Sequence, residues 1–173
     1  VIGSKGLAAI NLVFPIIMIV FAVSDMIAAG ASVKIGIKLG EKKEEEASNI
    51  FSIALLLMFI IDSIFMILSL VFAKDIIFIL IKDKELATLS YRFAYVFILA
   101  LPIIAPFFAL GNYLRLCGKA NMSMWINIAV SILNIILDAI LIGYFKLGIE
   151  YAALCSALSM SIGTLIFLYP FIM

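Results

Sequence analysis

The chain has 173 residues, of which 66% are apolar and 13% charged, with a mean hydropathy of +1.31; soluble domains are about half apolar and a quarter charged, so a soluble globular domain is excluded. A net charge of +1 offers no basic face to a nucleic acid. The absence of histidine removes any His-based metal site, general base or pH switch from this chain.

Five apolar segments are each long enough to cross a bilayer, which takes about 20 residues. The first covers residues 6–39: an apolar run from Gly6 to Val33, with Pro15 inside it, and a helical continuation to Leu39. Its Gly30, Ala31, Ser32 and Gly36 let another helix approach closely. Asp25, beside Ser24, lies toward the charged end of that segment and suits a structural or gating contact. Gly40 is placed to cap this helix, and the acidic trio Glu44 to Glu46 suits the first turn of the next. The second segment, 47–73, contains Asp62 with only Ser63 and Ser69 as polar neighbours. Residues 75–82 are too short to span and are expected along the membrane surface.

The third segment, 86–116, carries Pro102 and Pro106 one turn apart, which predicts a bend. The fourth is 122–145 and the fifth 149–172, joined by a minimal Lys146-Leu-Gly148 turn. Cys117 and Cys155 lie in or beside apolar runs, form no CxxC, and read as buried free thiols. Residues 1–30 lack the basic start and cleavage site of a signal peptide. The opening Val1 and the apolar close at Met173 suggest a piece of a longer membrane protein. Charge does not orient it: the turns around 34–43 and 115–119 carry six Lys/Arg and the other side also six.

The fourth segment holds the one patterned set of polar groups. Ser123, Asn127, Ser131, Asn134 and Asp138 are spaced 4, 4, 3 and 4, so on a helix they fall within roughly 80° of one another. A carboxylate at mid-helix costs about 2.5–3.5 kcal/mol on insertion scales, so Asp138 must face protein or water. Helices four and five run antiparallel about Leu147. Asp138 and Ser156 are each nine residues from it and should match in depth, roughly 13 Å from the turn; Asn134 should lie level with Ser159 or Met160. A carboxylate, an amide and a hydroxyl at one depth suit a proton or a hard cation such as sodium. Hydrogen bonding between helices is the better reading of the serines, and a functional role the better reading of Asp138. Asp62 reads either as a second protonatable site or as a protonated carboxyl bonded to a neighbour, and Asn127 and Ser131 as cavity lining or helix glue. Nothing in the chain forms a nucleophile–base pair, a metal-ligand cluster or a phosphate cradle, so it offers nothing for an enzyme.

Taken together, several pieces resemble the multidrug and toxic compound extrusion (MATE) family of transporters: Gly6-Leu-Ala-Ala-Ile10 followed by Pro15, Gly30 to Gly40 leading into the charged turn and Ala47, Arg115-Leu-Cys-Gly-Lys119, Asn134-Ile-Ile-Leu-Asp138, and Ala152-Ala-Leu-Cys-Ser156. The resemblance implies an all-α integral membrane fold of five transmembrane helices, part of a six-helix lobe in a twelve-helix transporter. This would be the family's helices two to six, in the N-terminal lobe, with the 34–46 and 115–119 turns cytoplasmic. It implies a secondary antiporter of the cell membrane that exports organic, often cationic, drugs or toxins against protons or sodium. Asn134 and Asp138 match the family's cation-site pair on helix five, and Ser156 stands where a Thr surrounds the ion, so sodium is expected at Asp138, Asn134 and Ser156. A further Asp is implied on a helix preceding Val1. No cofactor is implied beyond the coupling ion; the partners are a small-molecule substrate, the bilayer, and the missing helix and C-terminal lobe of the same chain, with no nucleic acid. The alternatives are a lipid-linked saccharide flippase of the same wider superfamily, which needs an Arg- and Lys-lined cavity, and a non-transporting structural membrane protein. Arg92 and Arg115, the only arginines, both lie near segment ends, which favours drug export over the flippase.

Overall fold

Lipid offers no partners to backbone N–H and C=O groups, so long apolar runs must satisfy them internally, as helices. The computed structural model describes residues 4–172. They form α1 (Ser4–Gly40), α2 (Glu44–Leu80), α3 (Lys84–Ile104), α4 (Pro106–Leu116), α5 (Ala120–Asp138), a π-helical turn (Ala139–Tyr144) and α6 (Ile149–Ile172), with no strand among the described residues. Five stretches are long and apolar enough to cross a membrane: α1, α2, α3 with α4, α5 with its π extension, and α6.

Residues 75–80 are not a separate surface segment. They continue α2 without a break to Leu80, and Ile77 is fully buried in the core, which holds this end of the helix in register. Pro15 is accommodated within a continuous α1. The third span is interrupted at Ala105, because Pro106 has no N–H to return to the preceding turn. The Thr164 hydroxyl of α6 donates to the Ile103 carbonyl (3.0 Å), supporting the backbone at this joint.

The two turns on the side of the basic clusters share one geometry. After α4, Lys119 N–H donates to Leu114 O and Gly118 N–H to Arg115 O, the paired bonds of a Schellman cap, with Gly118 at φ +75°. After α1 the same two bonds run from Lys43 to Lys38 and from Lys42 to Leu39. The left-handed position there is Lys42 (φ 60°), not Gly40, which ends α1 too early for that role. A Cβ in this region costs roughly 1–2 kcal/mol. Lys42→Gly should therefore raise stability by about 1 kcal/mol, read as a higher thermal midpoint in detergent. Around this turn Lys43 and Lys38 hold the Glu41 carboxyl below the usual carboxylate range, a solvated network that adds little to stability.

The core lies around α3, α4 and one face of α1. Ala9, Val13, Ile17, Phe21, Ser24, Ala28, Ala31 and Ile35 repeat every three or four residues and form the buried stripe of α1. Its first half packs on α3 through Phe97 and Leu101, and α3 in turn packs on α6, whose Ala153 and Ala157 belong to the same cluster; its second half packs with Met58 of α2 and Tyr113 of α4. A third cluster joins α4, α5 and α6 through Phe107, Val130 and Phe167. Large apolar side chains such as Ile19, Met26, Ile53 and Val71 point outward, as expected of a surface solvated by lipid. Gly163 marks the tightest approach: a Cβ there would lie 2.5 Å from the Phe107 ring and 2.7 Å from a Val130 methyl.

Candidate functional site

The polar seam of α5 divides along its length. Ser123 is fully buried and donates to Gly111 O of α4 (3.0 Å), so it fastens α5 to α4. Asn127 bonds back to Ser123 O through its amide (2.7 Å) and still borders the space beyond. Ser131 is exposed and Asn134 half-buried. These last three, with Ser156 and Ser159 of α6, form the polar wall of a cavity of about 430 Å³, whose other wall is Phe107 and Phe108 of α4.

Asn134 and Ser156 meet directly. The Asn134 Nδ2 donates to Ser156 Oγ at 3.2 Å. This is one turn closer to the helix connection than the expected pairing of Asn134 with Ser159 or Met160. The arm from Asn134 to the connection contains the π turn at Ala139–Tyr144. Its wider i→i+5 turns advance the chain less per residue than α turns do, so the arm leading from Asn134 to the connection is shorter than an α-helix would make it. Asp138 is the last α residue before that π turn. It lies beside the buried thiol of Cys155, the residue preceding Ser156. Its Oδ1 is buried and has no hydrogen-bond partner.

The structure thus brings Asn134, Asp138 and the Cys155–Ser156 step to the α5–α6 face. Because the Asn134 amide N–H₂ is directed to Ser156, its carbonyl oxygen is free to accept a cation or donor, as are the orphaned Asp138 oxygen and a Ser156 lone pair. Three hard oxygens suit a proton or a weakly held monovalent cation. Among the described residues no group of three His, Cys, Asp or Glu converges to hold a more demanding metal.

Asp62 is elsewhere. It is wholly buried between α2 and α1, where the Ser24 hydroxyl donates to its Oδ1. Ser24 was legible by the depth argument applied to the first hairpin, since Ser24 and Asp62 are nearly equidistant from the turn at Glu41–Lys43. Asp25 is exposed and lies nine residues from Lys34, in the half of α1 nearer its charged end. Two further residues were missed as site members. Ser159 is 1% exposed with an unpartnered hydroxyl on the cavity wall, and Cys155 shares the carboxylate's surroundings. Cys117, expected to be buried, is exposed, because it sits in the helix cap after α4.

The family model described as MatE matches residues 1–140. The chain belongs to the MatE family. It is similar to the multidrug export protein MepA of Staphylococcus aureus (strain NCTC 8325 / PS 47), at 30% identity over 97% of this chain and 37% of MepA. It is also similar to the probable multidrug resistance protein YoeA of Bacillus subtilis (strain 168), at 25% identity over 91% of this chain and 35% of that protein. The MatE chain therefore spans about a third of the length of these relatives. Its fold matches an outward-facing multidrug resistance MATE family transporter of the MOP superfamily with a TM-score of 0.91 and 29% identity, over 97% of this chain and 37% of that one. An inward-facing MATE transporter structure matches at 0.87 and 30% identity, over 95% and 38%. The MatE chain is accordingly a multi-pass protein of the cell membrane, in a family of transporters rather than enzymes.

Proposed function

We propose that this chain is part of the N-terminal lobe of a secondary active antiporter that exports organic, often cationic, drugs against an inward proton or sodium gradient. The observation that carries the reading is the contact of Asn134 with Ser156 beside an Asp138 oxygen that is buried and unpartnered. Ionisable residues inside a membrane are usually functional, since an apolar residue would insert more favourably. In this reading Asp138 takes up the proton or sodium ion, and the Asn134 carbonyl and Ser156 hydroxyl complete the oxygen set.

Coupling follows from differential binding of the ion to two states. Charged, Asp138 favours a water-accessible arrangement of the α5 end. Neutralised, it allows α5 to pack more closely on α6. The π turn that begins at Ala139 supplies an adjustable element, because i→i+5 bonds can revert to i→i+4 bonds with a local shift of register. Similarity to both outward- and inward-facing transporters supports a lobe that keeps its internal packing while its setting changes. The cavity wall of amides, hydroxyls and phenylalanines suits a flat organic molecule. It carries no Arg or Lys for a pyrophosphate, which disfavours the flippase reading.

The test is dye efflux from cells expressing the full-length chain and preloaded with ethidium. Efflux should follow an imposed inward proton or sodium gradient and stop when that gradient is collapsed by the matching ionophore. Efflux indifferent to both gradients would remove the antiport reading.

A further inference from the structure

Asp62 stands midway along α2, at a depth where neither end of the helix is near, and is 0% exposed. Its Oδ1 accepts from the Ser24 hydroxyl of α1, while its Oδ2 is buried with no partner. One turn to either side the packing is apolar: Phe21 and Ala28 along α1, Met58 and Phe65 along α2. The charged group of α1 that acts on it is Asp25, a like charge. From α4 the titratable neighbour is Tyr113, whose hydroxyl points to Ala28 O instead (3.4 Å). On α3 the titratable side chains run from Lys84 to Tyr95, whereas the antiparallel register across the turn at residues 81–83 sets Asp62 level with Pro102. No cation among these groups is placed to pair with Asp62. A carboxylate so enclosed, with one hydroxyl for a partner and a like charge beside it, is far costlier than the neutral acid.

We propose that Asp62 is a proton-binding site, separate from the α5–α6 cluster, whose bound proton on Oδ2 lets Ser24 pin α1 to α2 at mid-membrane. Taking up a proton converts the carboxylate to the acid and leaves Oδ1 as the carbonyl oxygen that accepts from Ser24. Releasing it places a bare charge between two packed helices, next to Asp25, and drives them apart until water reaches the carboxylate.

Infrared spectroscopy of the full chain reconstituted in lipid at neutral pH tests this through the C=O stretch of protonated carboxyls, which ionised carboxylates lack. Asp62→Asn should remove the intensity of one carboxyl. Ser24→Ala should keep that intensity and move the band to higher frequency, because the carbonyl loses its hydrogen bond. Asp138→Asn should leave this component in place, and replacing potassium by sodium should not displace it. An unchanged band in Asp62→Asn, or its loss in sodium, would overturn the proposal. Where Asp62→Asn fails to accumulate, Ser24→Ala decides alone, and a band that does not move refutes it.

Discussion

Asp138→Asn in the full-length chain should abolish ion-driven efflux while leaving the protein inserted and folded. Asn keeps the shape of the side chain but exchanges one acceptor oxygen for an NH₂ donor and fixes it in a neutral form. The ion then has no charge to neutralise, and the two arrangements of the α5–α6 face no longer differ in ion affinity. Coupling between sites is typically worth about 1–3 kcal/mol, or roughly 5- to 150-fold in affinity, and the substitution removes that whole difference at one stroke. Stability should hold or rise, because Asp138 has an unpartnered buried oxygen and an amide is cheaper than a carboxylate at this depth. Gradient-driven efflux in membrane vesicles, normalised to the amount inserted, checks the prediction. Wild-type rates in the variant would remove Asp138 from the mechanism.

Gly163→Val should produce the largest loss of stability. Gly163 lies where α6 meets α4 and α5, and an added Cβ falls inside contact distance of the Phe107 ring and the Val130 methyl. Neither group yields easily: Phe107 is 5% exposed and Val130 is β-branched and stiff at χ1. Overpacking of this kind costs about 1–3 kcal/mol. Gly163→Ala meets the same clash but recovers roughly 1 kcal/mol of helix propensity, so it should fall between wild type and Val. Val recovers less and adds two methyl groups to a filled space. Thermal unfolding in detergent should therefore rank wild type above Ala and Ala above Val. The contact is specific to the face that also carries the cavity, since Phe107 and Val130 line it. A Val variant that folds should accordingly show altered drug binding as well.

The five spans were legible because a bilayer imposes a length and a polarity that a linear sequence displays directly. The Asn134–Asp138 stripe was legible because a 3.6-residue period places widely spaced polar residues on one face. What sequence could not supply was the local helical pitch. Residues 139–144 contain nothing that marks a π turn, yet that turn lies in the arm between the helix connection and Asn134, which meets Ser156. The extension of α2 through residues 75–80 was hidden for a related reason: Lys74 and Asp75 look like a boundary, yet Ile77 is drawn into the core by packing against residues far away in the chain. Lys42 in a glycine conformation was equally hidden, because the cap is fixed by where α2 starts and not by where glycine stands. The partnership of Ser24 and Asp62 needed only the depth count across a turn, the same count that led to Ser156.

In the proposed mechanism the Asn134–Asp138–Ser156 face holds the coupling ion and gives it up as substrate binds. Ion release from the purified full-length chain on adding a cationic drug measures this directly, with a pH indicator in weak buffer or a sodium-selective electrode. Wild type should release a proton or a sodium ion, and Asp138→Asn none, at a drug concentration that saturates both. Equal release from the two proteins would contradict it.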